Sequence, residues 1–520
     1  MKTKNFRISK INKKLFYTLV ILSGIILLAV GLAAGFFIGS SQNKELFYPE
    51  LTIDGDVGTV ITVKNKDYLL NEAGLLEHRI SEGGNWINAF NLREILELVQ
   101  PASADSDIYI AGSDGKAAKI SYEDSKNSYI SFSADKGWQS VNPLHPPSTN
   151  IKNVAELLVV SNASGATSDS GSGLGLNIIT MDSNLLNATP GNLKLDNRQF
   201  YYKVGTSSKE LTSSAFVIKD LFTLDDLLNK NTIEADFGQY LIMSREGDYI
   251  FTAETGNFEI SGNGIDYLPP DGSQVVKNIK GVVLEPSAAS IMDAYYDTLA
   301  YLKKDMKVLL VITDGLGYNQ CREALSGGYM PFVRTEITEG GADIKQALSV
   351  YAPVTNTGLA AIFTGQPPSV NGVYSREQRE LLVPSIFSDA ADLGKDSIYI
   401  EGDTSIVKTE VEPILNTDMN DNGTKDDEIY KYTLDNISNN NGLVVVHFHS
   451  IDDAGHNYGV SSQQTYNAVK QVDSYIEGLV QKWDGICIIT SDHGQHDENG
   501  AGNHGQFRFE DLVVPYILIK

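Results

Sequence analysis

Six of the eight histidines lie after residue 440, beside aspartates. The stretches are His447-Phe448-His449-Ser450-Ile451-Asp452-Asp453-Ala454-Gly455-His456, then Ser491-Asp492-His493-Gly494, then Asn503-His504-Gly505. Far upstream, the apolar run Val308-Leu309-Leu310-Val311-Ile312-Thr313 ends on Asp314. Neutral imidazole and carboxylate are the side chains that bind zinc-like divalent ions. Three apolar runs that each lead to an acid, two of those acids followed closely by His, predict a metal centre.

The elements around these residues should position them. From about residue 286, strand-like and helix-like segments alternate to the end, which predicts an α/β architecture with a largely parallel sheet. The strands read as continuous apolar runs, as expected when helices cover both faces. Ligand sites in such sheets lie at the carboxyl ends of the strands. Asp314, Asp452 and Asp492 occupy that place in the pattern. Pro286 and the spacing of Ile291, Tyr295, Leu299 and Leu302 predict a helix over 287–306. Strand-like Leu348-Ser349-Val350-Tyr351 leads into a loop, with a helix predicted to start near Asn356. A Thr355 hydroxyl there would face free N–H groups and a helix dipole that favour phosphate. Taken by itself, Thr355 also reads as an ordinary N-cap.

Together these segments resemble the alkaline phosphatase superfamily, on the branch of type I phosphodiesterases and nucleotide pyrophosphatases, and are similar to phosphonoacetate hydrolase. The resemblance spans roughly 305–520. It rests on Asp314, on Thr355 nine residues before Thr364-Gly365, on Asp452 with His456, on Asp492-His493, and on His504. It implies an alkaline-phosphatase-like sheet between helices and two divalent metal ions, zinc first and manganese second. Asp452, His456 and His504 would bind one ion. Asp314, Asp492, His493 and the Thr355 oxygen would bind the other, with Thr355 the nucleophile. Two positions depart from the branch's pattern. Gly358 stands where an Asn often contacts phosphate, so Asn356 is expected to substitute. Asn371 stands for His in Pro367-Pro368-Ser369-Val370-Asn371-Gly372. His447, His449 and His496 fall outside the implied ligand set and are expected to support it or pack in the core.

Lys2, Lys4, Arg7, Lys10, Lys13 and Lys14 precede an apolar stretch over 15–39. It is long enough to span a bilayer, which takes about 20 residues. A single-pass anchor is expected, with tail 1–14 cytoplasmic and the bulk of the chain extracytoplasmic at the cell membrane. The formal net charge of −25 disfavours binding to nucleic-acid polymers. Two cysteines, Cys321 and Cys487, exclude a disulfide framework and predict buried thiols.

Between the anchor and the metal-site region, a duplicated module is expected, with copies at 50–160 and 185–285. Phe90-Asn91-Leu92-Arg93-Glu94-Ile95-Leu96 matches Phe222-Thr223-Leu224-Asp225-Asp226-Leu227-Leu228 at an offset of 132 residues. Each copy reads as a short α+β unit, a helix and then a hairpin, and Ser- and Gly-rich sequence within 160–190 reads as the link. Asp418-Met419-Asn420-Asp421-Asn422-Gly423 resembles the start of a calcium loop, but Ile429 stands at the twelfth position, where Glu is wanted.

The expected function is a membrane-anchored, extracytoplasmic, metal-dependent phosphoric ester hydrolase. Its substrate would be a small phosphate ester or a cell-envelope molecule. Two rivals share the sequence: a phosphotransferase acting on an envelope acceptor, and a catalytically inert surface binding protein.

Overall fold

The computed structural model describes residues 50–82, 84–162, 175–208, 212–233, 237–262, 264–270, 272–437 and 442–520. The expected tail and anchor lie outside them. Among the described residues, no helix is long and apolar enough to cross a membrane.

The C-terminal region is built on a seven-stranded sheet. Its strands are β1 (Val308–Thr313), β2 (Asp343–Leu348), β3 (Ser397–Glu401), β4 (Ile414–Leu415), β5 (Leu443–Phe448), β6 (Ile486–Thr490) and β7 (Val513–Ile519). They lie in the order β2-β7-β6-β1-β5-β3-β4. From β6 to β4 the neighbours run parallel, while β7 runs antiparallel to β6 and β2. The fold class is α/β, and one edge of the sheet is antiparallel.

Alternation along β1 explains the layers. Leu310 and Ile312 pack with Leu302, Leu359, Phe363 and Phe387 from the helices Asp293–Lys303, Thr355–Thr364 and Ile386–Asp392. Leu309 and Val311 face the other way, onto Ala324, Ile429, Val472 and Ile476 from the helices Tyr318–Gly327, Asp426–Asn436 and Gln463–Val480. Each fully buried aliphatic side chain contributes about 1.5–3 kcal/mol of burial free energy. Cys321 and Cys487 are both free and buried in the second layer.

The helix predicted over 287–306 is shorter, spanning Asp293–Lys303. Ser290 forms a bridge with Leu348, and the Ser290 N–H donates to the Asp293 carboxylate at 3.1 Å. Pairing with the sheet edge thus holds the chain extended until the Asp293 carboxylate can take up the Ser290 N–H. Likewise, the strand predicted at 348–351 ends at Leu348, and 349–354 runs outside regular structure into the helix Thr355–Thr364.

The N-terminal half contains two five-stranded sheets of one design. The first has the order 61–63, 51–55, 154–161, 106–112, 117–121. The second has the order 184–188, 176–179, 279–284, 240–244, 249–252. In both, the second and third strands pair parallel, and the third and fourth antiparallel. The matched segments Phe90–Leu96 and Phe222–Leu228 each carry a short helix, Leu92–Glu97 and Leu224–Lys230. The second sheet begins at Leu176, inside the stretch expected to be a link.

Asp56 joins the two units. Its carboxylate accepts from Ser161 N at 2.6 Å, Thr189 Oγ1 at 2.8 Å and Gly191 N at 2.8 Å. The second unit in turn packs on the sheet edge: Ile179, Leu241, Met243 and Val283 meet Leu348, Phe507 and Leu512.

Candidate active site

The nucleophile candidate and the expected ligands converge at the carboxyl ends of the central strands. Asp314 follows β1, and its N–H donates to Phe448 O at 2.9 Å, which ties the ends of β1 and β5 together. Gly315 comes next with φ +75°, and a Cβ there would meet Asp452 Oδ1 at 2.8 Å. Only glycine lets the chain turn this close to the second carboxylate. Asp492 follows β6, and Ser349 Oγ donates to its carbonyl at 2.5 Å. Asp452 is not at a strand end: it lies in the first turn of the helix Ser450–Tyr458, which puts His456 one turn on along the same face.

The three histidines of the implied set share one arrangement. His456 Nδ1 lies 2.8 Å from Gly502 O, His493 Nδ1 3.0 Å from Gly494 O, and His504 Nδ1 3.1 Å from Pro353 O. A carbonyl only accepts, so each Nδ1 carries a proton, and in the neutral ring each Nε2 keeps its lone pair. Those Nε2 atoms face carboxylates. His456 lies 3.3 Å from Asp452, His504 3.8 Å from Asp452, and His493 3.3 Å from Asp314 and 3.5 Å from Asp492. Thr355 Oγ1 lies 3.3 Å from the same His493 nitrogen. Lone pairs facing anionic oxygens, with the other ring nitrogen fixed by a carbonyl, is the donor chemistry of a metal site.

Two sets of ligand atoms lie within 4.8 Å of one another here: Asp452, His456 and His504, and Asp314, Asp452 and His493. The first is the set implied for one ion. The second shares Asp314 and His493 with the other implied set. Asp492 Oδ2 and Asp314 Oδ1 are buried with no hydrogen-bond partner, so each can accept a cation. The residues fit a two-ion centre.

The buried charges move the protons of the site. Burial and the Asp314 charge push Asp492 up to about 7. Burial works against a charged His493, but Asp492 and Asp314 prevail and raise it to about 10. Burial and the neighbouring His493 press His504 down to about 3. The rings of His493 and His504 stack at 3.9 Å.

The helix Thr355–Thr364 explains one departure from the pattern of the branch. A Cβ on Gly358 would meet Asp492 O at 2.5 Å and Asp492 Cβ at 2.7 Å, so an Asn has no room there. The Asn356 amide does not fill that role directly. It donates to Gln378 O at 3.0 Å and so holds the wall of the site, leaving its backbone N–H at the helix start for an anion. Asn371 closes a turn: its amide donates to Gln366 O at 2.8 Å, and its Oδ1 accepts from Val373 N at 2.9 Å.

Some residues of the site were not anticipated from the sequence. Arg376 reaches His504 Nε2 at 3.0 Å and brings a cation to the mouth of the site. Gln495 donates to the Asp452 carboxylate and backbone carbonyl. Glu401, at the end of β3, is fully buried against His447 and His449. The acidic loop does not join the site. Asp418 accepts from Asn422 N at 3.1 Å and Gly423 N at 2.8 Å, so the loop closes on its own amides.

Comparison with known proteins agrees with this geometry. Residues 395–515 match the family model described as type I phosphodiesterase / nucleotide pyrophosphatase. The chain thus resembles that branch of the alkaline phosphatase superfamily, as its motifs indicate. No curated protein matches it. Among solved structures, phosphonoacetate hydrolase from Sinorhizobium meliloti 1021 in complex with phosphonoformate is 16% identical, with TM-score 0.32 over 38% of this chain and 59% of that one. The zinc complex of the C-terminal periplasmic domain of EcEptC from Escherichia coli is 14% identical, with TM-score 0.31 over 41% and 72%. Murine ectonucleotide pyrophosphatase / phosphodiesterase 5, an inactive form with AMP, is 17% identical, with TM-score 0.30 over 37% and 57%. The chain spans less than two thirds of the phosphonoacetate hydrolase.

Proposed function

We propose that this chain is a metal-dependent phosphoric ester hydrolase that uses Thr355 as its nucleophile. One observation carries the reading. Asp314, Thr355, Asp452, His456, Asp492, His493 and His504 come from distant parts of the chain and meet at one place, with every Nε2 lone pair turned inward.

Asp452, His456 and His504 would hold one divalent ion, and Asp314, Asp492, His493 and Thr355 the other. Bound there, the ions supply charge neutralisation and lower the pKa of the hydroxyl, which is a weak nucleophile by itself. Thr355 Oγ forms a bond to phosphorus as the bond to the leaving alcohol breaks, and its proton passes to solvent. Water then cleaves the phosphothreonine, releasing phosphate from a monoester or a phosphate monoester from a diester. The start of the helix Thr355–Thr364 presents N–H groups to the phosphate oxygens. Arg376 adds a cation beside Nε2 of His504. The apolar segment 15–39 with its basic flank supports an anchored, extracytoplasmic enzyme with a small or envelope-borne ester as substrate.

The test is a screen of the purified full chain against mono- and diester nitrophenyl phosphates, a phosphonate and a sulfate, with and without zinc. Zinc-dependent turnover of at least one phosphoryl substrate, absent in Thr355→Ala, is expected. Turnover that persists in Thr355→Ala would overturn the reading.

A further inference from the structure

The second N-terminal unit carries a long ribbon. Strands Arg198–Ser208 and Thr212–Leu221 pair antiparallel as a two-stranded sheet of their own. Side chains alternate between the faces of such a ribbon. One face rests on the rest of the unit: the Tyr202 hydroxyl donates to Pro269 O at 3.2 Å, and Lys219 pairs with Glu259. The other face holds Tyr201 opposite Ile218, and Lys203 opposite Phe216. Tyr201 is 77% exposed, Ile218 60% and Phe216 53%. A solvated face of an antiparallel sheet is ordinarily polar. The centre of this one is aromatic and aliphatic.

The ribbon's place in the fold says what covers that face. The helix Pro190–Asp196 ends just before the ribbon begins. It packs beside the strand Leu51–Gly55: Lys194 pairs with Asp54, and Gly191 N donates to the Asp56 carboxylate at 2.8 Å. The chain enters that strand from residues 40–49, which follow the apolar segment 15–39. Fully extended, residues 40–49 reach at most about 35 Å. The 11 residues of Arg198–Ser208 span about 36 Å. The base of the ribbon thus sits beside the point where the chain leaves the expected anchor, and the ribbon is as long as the tether.

Charge fits the same surface. Within 198–221, Arg198, Lys203, Lys209 and Lys219 outnumber Glu210 and Asp220, in a chain of net charge −25. A locally basic stretch with Tyr and Phe suits the headgroup layer of an anionic bilayer.

We propose that the outer face of the ribbon, with Tyr201, Phe216 and Ile218, lies flat on an anionic lipid bilayer. The inference rests on the anchored reading of 15–39, because a tether to the membrane raises the local lipid concentration and makes a small contact sufficient. Held there, the ribbon keeps the second unit, and Phe507 packed on it, next to the membrane.

The test uses the full chain in vesicles of phosphatidylcholine and phosphatidylglycerol, with ordinary or brominated acyl chains. Phe216→Trp adds an emitter to Trp86, Trp138 and Trp483. Met419→Trp, at a residue 84% exposed on the acidic loop, adds one in the C-terminal region. The emission added by Phe216→Trp should shift to the blue in vesicles and be lost in brominated lipid, and that added by Met419→Trp should do neither. Equal behaviour of the two variants would overturn the proposal. So would added emission from Phe216→Trp that stays red, as for a face open to water, or that is blue but unquenched, as for a face covered by a second copy. Extraction with alkaline carbonate reads the anchor separately. A chain that resists extraction without quenching at position 216 overturns the ribbon contact and leaves the anchor standing. A chain stripped from the vesicles overturns the anchor, and the ribbon contact with it.

Discussion

The hydroxyl of Thr355 lies 3.3 Å from Nε2 of His493, a nitrogen whose partner in the ring is fixed by the Gly494 carbonyl. Thr355 is thus placed against the edge of an imidazole that also faces Asp314 and Asp492. Removing the hydroxyl leaves those three side chains in place. Thr355→Ala should therefore lose turnover by on the order of 10³-fold or more while its zinc content and melting temperature stay near wild type. Activity within about tenfold of wild type would exclude Thr355 as nucleophile.

Gly358 sits one helical turn after Thr355, with its Cα against the Asp492 backbone. The missing Cβ is what lets Asp492 approach, since an added one would fall 2.5 Å from Asp492 O. Gly358→Ala should cost about 1–3 kcal/mol, as overpacking does, and should lower turnover together with zinc content. Thermal unfolding and metal analysis check this. A variant as stable and as zinc-loaded as wild type would show that the contact relaxes freely.

Arg376, which the sequence did not single out, lies 3.0 Å from His504 Nε2. A charge-assisted hydrogen bond is worth about 1.5–3 kcal/mol, so Arg376→Ala should raise KM roughly tenfold or more. The loss should be larger for a nitrophenyl phosphate monoester, which carries two charges, than for a diester. Equal losses on both would remove Arg376 from substrate recognition.

Burial raises the pKa of Asp56 above the ordinary carboxylate value, although Ser161, Gly191 and Thr189 donate to it. A folded pKa above the unfolded one means that its favourable contribution is full below the unfolded value, about 4. That contribution is lost as pH rises through the folded pKa. Asn does not titrate, so Asp56→Asn should lower the melting temperature more at about pH 4 than at about pH 7. Calorimetry across that range checks the sign, and a penalty that grows with pH would contradict it.

Much of the site was legible because its chemistry is written at strand ends. The run leading to Asp314 and the run leading to Asp492 follow one pattern: an apolar stretch buried on both faces, then an acid. Glu401 closes Ile398-Tyr399-Ile400 in the same way, and that pattern could have found it too. It escaped because no histidine follows it; its histidines stand on the neighbouring strand and just past its end, a pairing visible only in the sheet register. Arg376 could not be read, because it comes from a connecting segment whose path depends on the Asn356 amide and the backbone it holds. The helix expected from residue 287 failed locally, since pairing of Ser290 with Leu348 outweighed helical spacing.

Phe507 lies three residues beyond His504, with its ring against Gly281 and among Ile179, Leu241, Met243 and Val283 of the second N-terminal sheet. His504, the last of the expected ligands, is therefore moored to a body encoded some two hundred residues earlier. A truncation that began at residue 286 would bare that greasy seam and slacken the loop that carries His504. The smallest portion worth expressing thus includes the second sheet, and enzymatic comparisons between fragments should be made only between ones that keep it.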